Sequence, residues 1–245
     1  MTVPLRLLGI VLLLCLAPCQ AWGAVSLQKN LPLSARDMEF YYQRKDPVVL
    51  PSMLRAFERA QKFAQPETRM MVATFLAEVV RANGKALDVI LPLAREFGLD
   101  GRRTLCWMAH FAALPNEGEL LQQWLGPHDE ILKRMIVQSP RQIAHWDIYG
   151  EKTVLNMYWA AYFATQNDAC LDAIIQATLS YARLNARGRQ KERIFPLCQA
   201  AAASLYELAP RHEDVRKRIA TALAGLSGPE ADTLQVILRQ KQAKG

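Results

Sequence analysis

The chain has 245 residues, a net charge of +7 at pH 7 and 51% apolar residues. This composition fits a folded soluble protein with room for one sizeable core. With five cysteines in 245 residues, the chain falls outside the class of small disulfide frameworks.

Residues 1–24 have the layout of a secretory signal peptide. A short start with one charge, Arg6, precedes an apolar run over 7–17 and then small residues at 21, 23 and 24. Cleavage after a residue between 21 and 24 would release a mature chain of about 220 residues. We therefore predict an exported protein, periplasmic or secreted.

Two alternatives to cleavage remain open. The apolar run could stay as a membrane anchor, although about a dozen residues is short of the roughly 20 that a spanning helix needs. Cys19 could instead be lipidated, although Pro18 directly before it is unusual. After cleavage the chain has no stretch long and apolar enough for a stable transmembrane segment.

The predicted mature chain keeps three cysteines: Cys106, Cys170 and Cys198. An odd number cannot pair completely within one chain. A helical hairpin that turns near Gly188 would leave Cys170 and Cys198 out of register by about 10 Å, too far for a disulfide. We predict buried free thiols, with a disulfide as the alternative.

Helical signals succeed one another along the rest of the chain. Apolar residues recur at helical spacing, and Asn, Gly and Pro separate the periodic segments. The pattern predicts about ten or eleven helices with short connections. They fall among twelve periodic segments: 38–43, 48–63, 66–82, 85–97, 101–114, 117–125, 128–138, 151–165, 168–184, 192–209, 213–226 and 229–242.

The predicted fold class is all-α. We predict stacked antiparallel helical hairpins, arranged either as an α-solenoid or as an irregular helical bundle. The domain runs over 25–245. The loop 139–150 is the point at which it can be divided into two halves, 25–138 and 151–245.

A phrase of the sequence is repeated at a spacing of 84 residues. "FLAEVVRANGKALDVI" (75–90) and "WAAYFATQNDACLDAI" (159–174) share Ala, Asn, Leu, Asp and Ile at five matching positions. Each copy reads as the end of one helix, a turn at Asn83 or Asn167, and the start of the next helix. In the second copy Asp168 is placed to cap that next helix.

The small and aromatic residues, the Asn turn and the apolar face of these phrases resemble the hairpins of tetratricopeptide and Sel1-type helical repeats. The resemblance covers about residues 67–98 and 151–184, and neither copy has the full tetratricopeptide signature. It implies a scaffold that binds a protein partner.

No arrangement of residues in the sequence indicates a catalytic site, a metal site or a cofactor. The four histidines are not in metal-binding spacings, and no phosphate loop or nucleophile elbow is present. Cys106 and His110 lie one helical turn apart, but that face reads as core. We therefore predict no cofactor and no catalytic residue.

Two regions are candidates for binding. The loop "QIAHWDIYG" (142–150) carries His145, Trp146 and Tyr149, which could contact a partner or could fill the junction between the two halves. The second region is a run of basic residues between two predicted helices: Arg183, Arg187, Arg189, Lys191 and Arg193.

The basic run belongs to a strongly charged last quarter. From residue 183 onward there are 12 Lys and Arg against 6 Asp and Glu, so this quarter accounts for nearly all of the net charge. Such a surface suits an anionic partner, although it also serves solubility. We predict no nucleic-acid partner, because the chain is expected to be exported and the basic run lacks the interleaved aromatics of single-strand binders.

We therefore predict an exported binding or assembly module of the cell envelope that recognises an envelope protein or an anionic envelope component. The alternative is an envelope enzyme, or its accessory factor, with a site near the central aromatic loop.

Overall fold

The computed structural model describes residues 33–240 of the chain. The predicted signal peptide, with Cys19, lies outside the described residues.

The described residues form an all-α fold, as predicted, with short 3₁₀ turns between several helices. The thirteen α-helices are α1 (Leu33–Glu39), α2 (Tyr41–Arg44), α3 (Leu50–Arg59), α4 (Pro66–Ala82), α5 (Ala86–Ile90), α6 (Leu99–Phe111), α7 (Glu117–Trp124), α8 (Glu130–Gln138), α9 (Lys152–Thr165), α10 (Asp168–Ala186), α11 (Phe195–Leu208), α12 (Glu213–Leu223) and α13 (Gly228–Leu238).

Proline accounts for two differences from the predicted boundaries. The segment predicted as one helix over 85–97 is α5 followed by a 3₁₀ turn, Leu91–Arg95, because Pro92 cannot donate the backbone hydrogen bond that would continue an α-helix. The helix predicted from residue 192 begins only at Phe195, where Pro196 occupies the first turn that tolerates it.

Helices α4 and α9 form the centre of the fold and pack extensively on each other. Both are buried almost all round: in α4 every residue from Met71 to Val80 except Glu78 is buried. A helix that is apolar on all sides is typical of a core position. Ala77 and Ala161, the small residues shared by the repeated phrases, are both fully buried.

The other helices surround this pair. Helix α6 packs on the second face of α4, and α10 packs on α9, on α11 and on α13. Helices α1 and α2 also contact α9, more than 100 residues further along the chain. These contacts between distant helices describe an irregular bundle more closely than a stack of strictly consecutive hairpins.

The repeated phrases share one asparagine hydrogen bond at the turn but lead into helices of different length. Asn83 accepts a hydrogen bond from the backbone N–H of Lys85 (3.2 Å), and Asn167 accepts one from Ala169 (3.0 Å). The cap of α10 is therefore Asn167 and not Asp168, as the sequence had suggested. The helix after the turn is only five residues long in the first copy and nineteen in the second.

Candidate functional site

Two of the three candidate side chains of the central loop (residues 139–150) pack on the core. The Trp146 ring packs edge-on against Phe111, with ring centroids 6.0 Å apart, and its indole N–H donates to the Pro140 carbonyl. Tyr149 is half-buried, and its hydroxyl lies 3.4 Å from that of Ser180. His145 is the exposed member of the three.

A buried polar group fixes the start of this loop; we call it the His110 network. The two ring nitrogens of His110 lie 2.7 Å from a Glu117 carboxylate oxygen and 2.9 Å from the Ser139 carbonyl. Arg141 donates to the other oxygen of Glu117 at 3.0 Å. Because both nitrogens already have partners, this histidine has none left for a substrate.

The thiols are also poor nucleophiles. Cys106, Cys170 and Cys198 are buried and free, which confirms the predicted free thiols. Burial raises the pKa of Cys106 and of Cys170 to about 12, and it raises the pKa of Cys198 as well. A thiol that stays protonated at neutral pH does not attack a substrate, so Cys106 and His110 do not form a reactive pair.

The five basic candidates lie at the end of α10 and in the connection to α11, and all are exposed. We call residues 183–193 the basic junction. Two of its arginines have acidic partners: Arg183 lies 3.5 Å from Glu230, and Arg189 pairs with Glu192.

The other three cations of the basic junction are Arg187, Lys191 and Arg193. Within the described chain none of them has an acidic side chain within ion-pair distance. An open concavity of about 560 Å³, including the part open to solvent, adjoins Arg187, with Arg183 and Arg187 in its wall beside Leu184 and Ile194. The basic junction therefore presents uncompensated positive charge next to a recess.

Sequence reasoning missed a third place, a groove between α1, α4, α9 and α11. It spans about 560 Å³, including the part open to solvent. Its lining is mostly apolar: Met38, Met71, Leu155, Trp159, Ala160, Phe163, Ala200 and Leu208, together with the polar residues Lys152, Asn156, Ser204 and Glu207. We call it the apolar groove. The sequence holds only a weak indication of this groove, namely that α11 is uncharged except for Glu207.

Behind the apolar groove lies a second buried polar group, the Glu39–His212 network. The two ring nitrogens of His212 lie 2.9 Å from the Tyr42 hydroxyl and 2.8 Å from a Glu39 carboxylate oxygen. Phe40 and Phe163 stack on the His212 ring at centroid distances of 4.8 and 5.4 Å. An acid, a histidine and a phenol in contact could relay a proton, but His212 is fully buried and does not line the groove.

Arg211 connects this network with the groove. Its guanidinium is within 2.7 Å of Glu39, and it lies 3.9 Å from Glu207, which is beyond hydrogen-bond range. Among described residues its buried Nε and Nη2 atoms have no hydrogen-bond partner. Burial raises the pKa of Glu207, and the nearby charge of Arg211 opposes that rise.

Two other kinds of feature are absent from residues 33–240. No cluster of three or more His, Cys, Asp or Glu side chains is arranged to hold a metal ion. None of these helices combines the length and apolar character that a membrane crossing requires.

Comparison of the chain with family models, with curated proteins and with solved structures finds no match.

Proposed function

We propose that this protein is an exported, non-catalytic binding or assembly module of the cell envelope, and that the basic junction is the surface that recognises an anionic partner. The observation that supports it best is the group of three exposed cations, Arg187, Lys191 and Arg193, that have no acidic partner in the described chain. Surface charges of one sign attract oppositely charged partners and speed their association.

The recess beside Arg187 supports the same proposal. Arg183 and Arg187 line it together with two aliphatic side chains, so a partner can place an anionic group against the Arg187 guanidinium group and apolar surface beside it. Arginine recognises carboxylates and phosphates through paired hydrogen bonds. The predicted resemblance to tetratricopeptide and Sel1-type repeats agrees with a binding role.

The enzymatic alternative has less support. Trp146 and Tyr149 direct their polar atoms to Pro140 and Ser180, and both rings pack on the core. Of the three candidates in the central loop, His145 alone has a side chain that is not engaged with the core.

The basic junction can be tested by reversing its charge. We expect the variant Arg187→Glu, Lys191→Glu, Arg193→Glu to bind the host's envelope fraction about tenfold more weakly than the wild type. Binding by the wild type should fall as NaCl is raised, because salt screens exposed charges. Co-sedimentation measures both effects, and intact mass of the protein first shows whether residues 1–24 have been removed or Cys19 carries a lipid.

A matched control changes net charge equally at a distance from the basic junction. Arg44→Glu, Lys85→Glu, Arg134→Glu reverses three exposed cations on α2, before α5 and on α8. Equal loss of binding in both variants would mean that only net charge matters. Unchanged binding in the first variant would remove the basic junction as the recognition surface.

A further inference from the structure

The middle of the basic junction is exposed along its whole length. Every residue from 185 to 191 is exposed, and this is the longest unbroken run of exposed residues between 33 and 240. Helix α10 ends at Ala186 and α11 begins only at Phe195, so most of the run lies in turns between the two helices. Such a segment is open to a broad, flat partner as well as to a shaped one.

The charge of the basic junction is dense and weakly compensated. Between 183 and 193 there are five cations and one carboxylate, that of Glu192, which pairs with Arg189. A second carboxylate, Glu230 of α13, lies 3.5 Å from Arg183. The other three cations of the junction have no such partner within the described chain. Basic clusters of this size are typical of segments that bind anionic lipid head groups.

The basic junction lacks the apolar centre of most protein–protein interfaces. Such an interface has a core of aromatic and other apolar side chains, and a few of them supply most of the binding energy. No aromatic residue occurs between 183 and 194. The nearest two, Tyr181 and Phe195, contact each other with ring centroids 5.5 Å apart, and the aliphatic Leu184 and Ile194 are half-buried. These features favour a partner that is recognised mainly by its charge.

An anionic membrane surface is a partner of this kind. Its negative potential attracts cations, and each Lys or Arg near it strengthens binding about fivefold. An acidic protein instead holds its carboxylates in fixed places and needs a matching arrangement of cations. Lys191 and Arg193 lie in turns, outside any helix that would hold them in a regular array.

We propose that the basic junction docks on an anionic phospholipid surface, with Arg187, Lys191 and Arg193 at the head groups. The proposal rests on the proposed function of this same surface and names its partner. Because little apolar surface accompanies the cations, the junction lies on the head groups and does not enter the hydrocarbon. Attachment of this kind depends on charge and is reversed by salt.

Vesicles of defined lipid composition test the proposal without any envelope protein present. The protein purified from its host should co-sediment more strongly with vesicles that contain phosphatidylglycerol than with vesicles of phosphatidylcholine alone. NaCl should abolish this difference, because it screens exposed charges. A retained signal peptide or a lipid on Cys19 would bind both kinds of vesicle, so the difference between them measures the electrostatic part.

The variant Arg187→Gln, Lys191→Gln, Arg193→Gln removes the three charges without reversing them. We expect its affinity for the anionic vesicles to fall about a hundredfold, since each cation near the surface contributes about fivefold. Its binding to phosphatidylcholine vesicles should not change.

The matched control removes three exposed cations elsewhere, in the variant Arg44→Gln, Lys85→Gln, Arg134→Gln. Its affinity for anionic vesicles should fall by less than about fivefold, because charges far from the docked surface are screened. Circular dichroism verifies that both variants are folded, as expected for changes of exposed side chains. An equal loss in the two variants would contradict docking through the basic junction.

Three further results would overturn the proposal: no binding to anionic vesicles, equal binding to anionic and neutral vesicles, or unchanged affinity of the junction variant. If charge reversal at the junction still abolished envelope binding, the proposed function would stand, and its partner would be an acidic protein or glycan. If charge reversal left envelope binding intact, the proposed function itself would be wrong. The two proposals can therefore be told apart when they fail.

Discussion

Two buried histidines, His212 and His110, each bridge a glutamate and a second polar group, yet they stabilise different parts of the molecule. His212 joins α1 to the start of α12 through Glu39, across 173 positions of sequence. His110 joins α6 to α7 through Glu117, only seven positions away, and to the first residue of the central loop. The Glu39–His212 network closes the fold, in the sense that it joins helices far apart in the sequence. The His110 network fixes the start of the central loop.

The hydrogen-bond partners of the two rings also differ in kind. His212 faces the Tyr42 hydroxyl, which can donate or accept, and a Glu39 carboxylate oxygen. His110 faces a Glu117 carboxylate oxygen and the Ser139 carbonyl. Because a carbonyl oxygen can only accept, Nε2 of His110 carries a hydrogen. The donor direction is therefore fixed by a carbonyl at His110 and by no such group at His212.

The largest expected effect is a difference in stability between variants of the two histidines. His212→Ala should lower the free energy of unfolding by about 3–5 kcal/mol, because it opens a cavity between Phe40 and Phe163 and leaves Glu39 with one partner fewer. His110→Ala should cost about 2–3 kcal/mol, since water can reach the loop side of its network. Chemical denaturation monitored by circular dichroism measures both changes.

Exposed histidines provide the control for this comparison. His128→Ala and His145→Ala should change stability by no more than about 0.5 kcal/mol. If His110→Ala cost as much as His212→Ala, the distinction between closing the fold and fixing a loop would be wrong.

A smaller effect is expected in the loop that the His110 network fixes. Trp146→Ala should lower the free energy of unfolding by about 2 kcal/mol, because it removes the ring contact with Phe111 and the hydrogen bond to Pro140. Binding to the envelope fraction should be unchanged. A loss of binding with stability intact would instead make Trp146 a recognition residue and revive the central loop as the site.

The last prediction concerns the positions of hydrogens on the histidine ring nitrogens and involves no change in stability. Nitrogen-15 NMR should show a hydrogen on Nε2 of His110, because the Ser139 carbonyl that faces it can only accept. Glu117→Gln should leave that hydrogen in place, since it changes only the partner of the other ring nitrogen. Absence of a hydrogen from Nε2 would show that the hydrogen bond to Ser139 is not formed.

Short-range features of the fold could be predicted from the sequence. Helical periodicity gave the all-α class, and the matching asparagines, Asn83 and Asn167, marked two turns with the same hydrogen bond. The length of the helix after the first turn was predicted wrongly, because the apolar spacing continues past Pro92, where the α-helical geometry ends. Nothing equivalent to Pro92 interrupts the helix in the other copy.

The candidate sites also differ in how far they could be predicted from the sequence. The exposed charges of the basic junction are a property of consecutive residues, and the sequence named all five. The apolar groove and the Glu39–His212 network depend on which distant helices meet. Glu39 and His212 have no local pattern that relates them, so only the packing of α1 and α2 on α9, beside α12, brings them together.

The three buried thiols have a consequence for when the chain folds relative to oxidation of its sulfurs. Once folded, the chain holds Cys106, Cys170 and Cys198 out of reach and protonated. If the chain is exported as proposed, it meets an oxidising compartment while these sulfurs are still accessible. Its core then has to form before an oxidant joins two of the sulfurs.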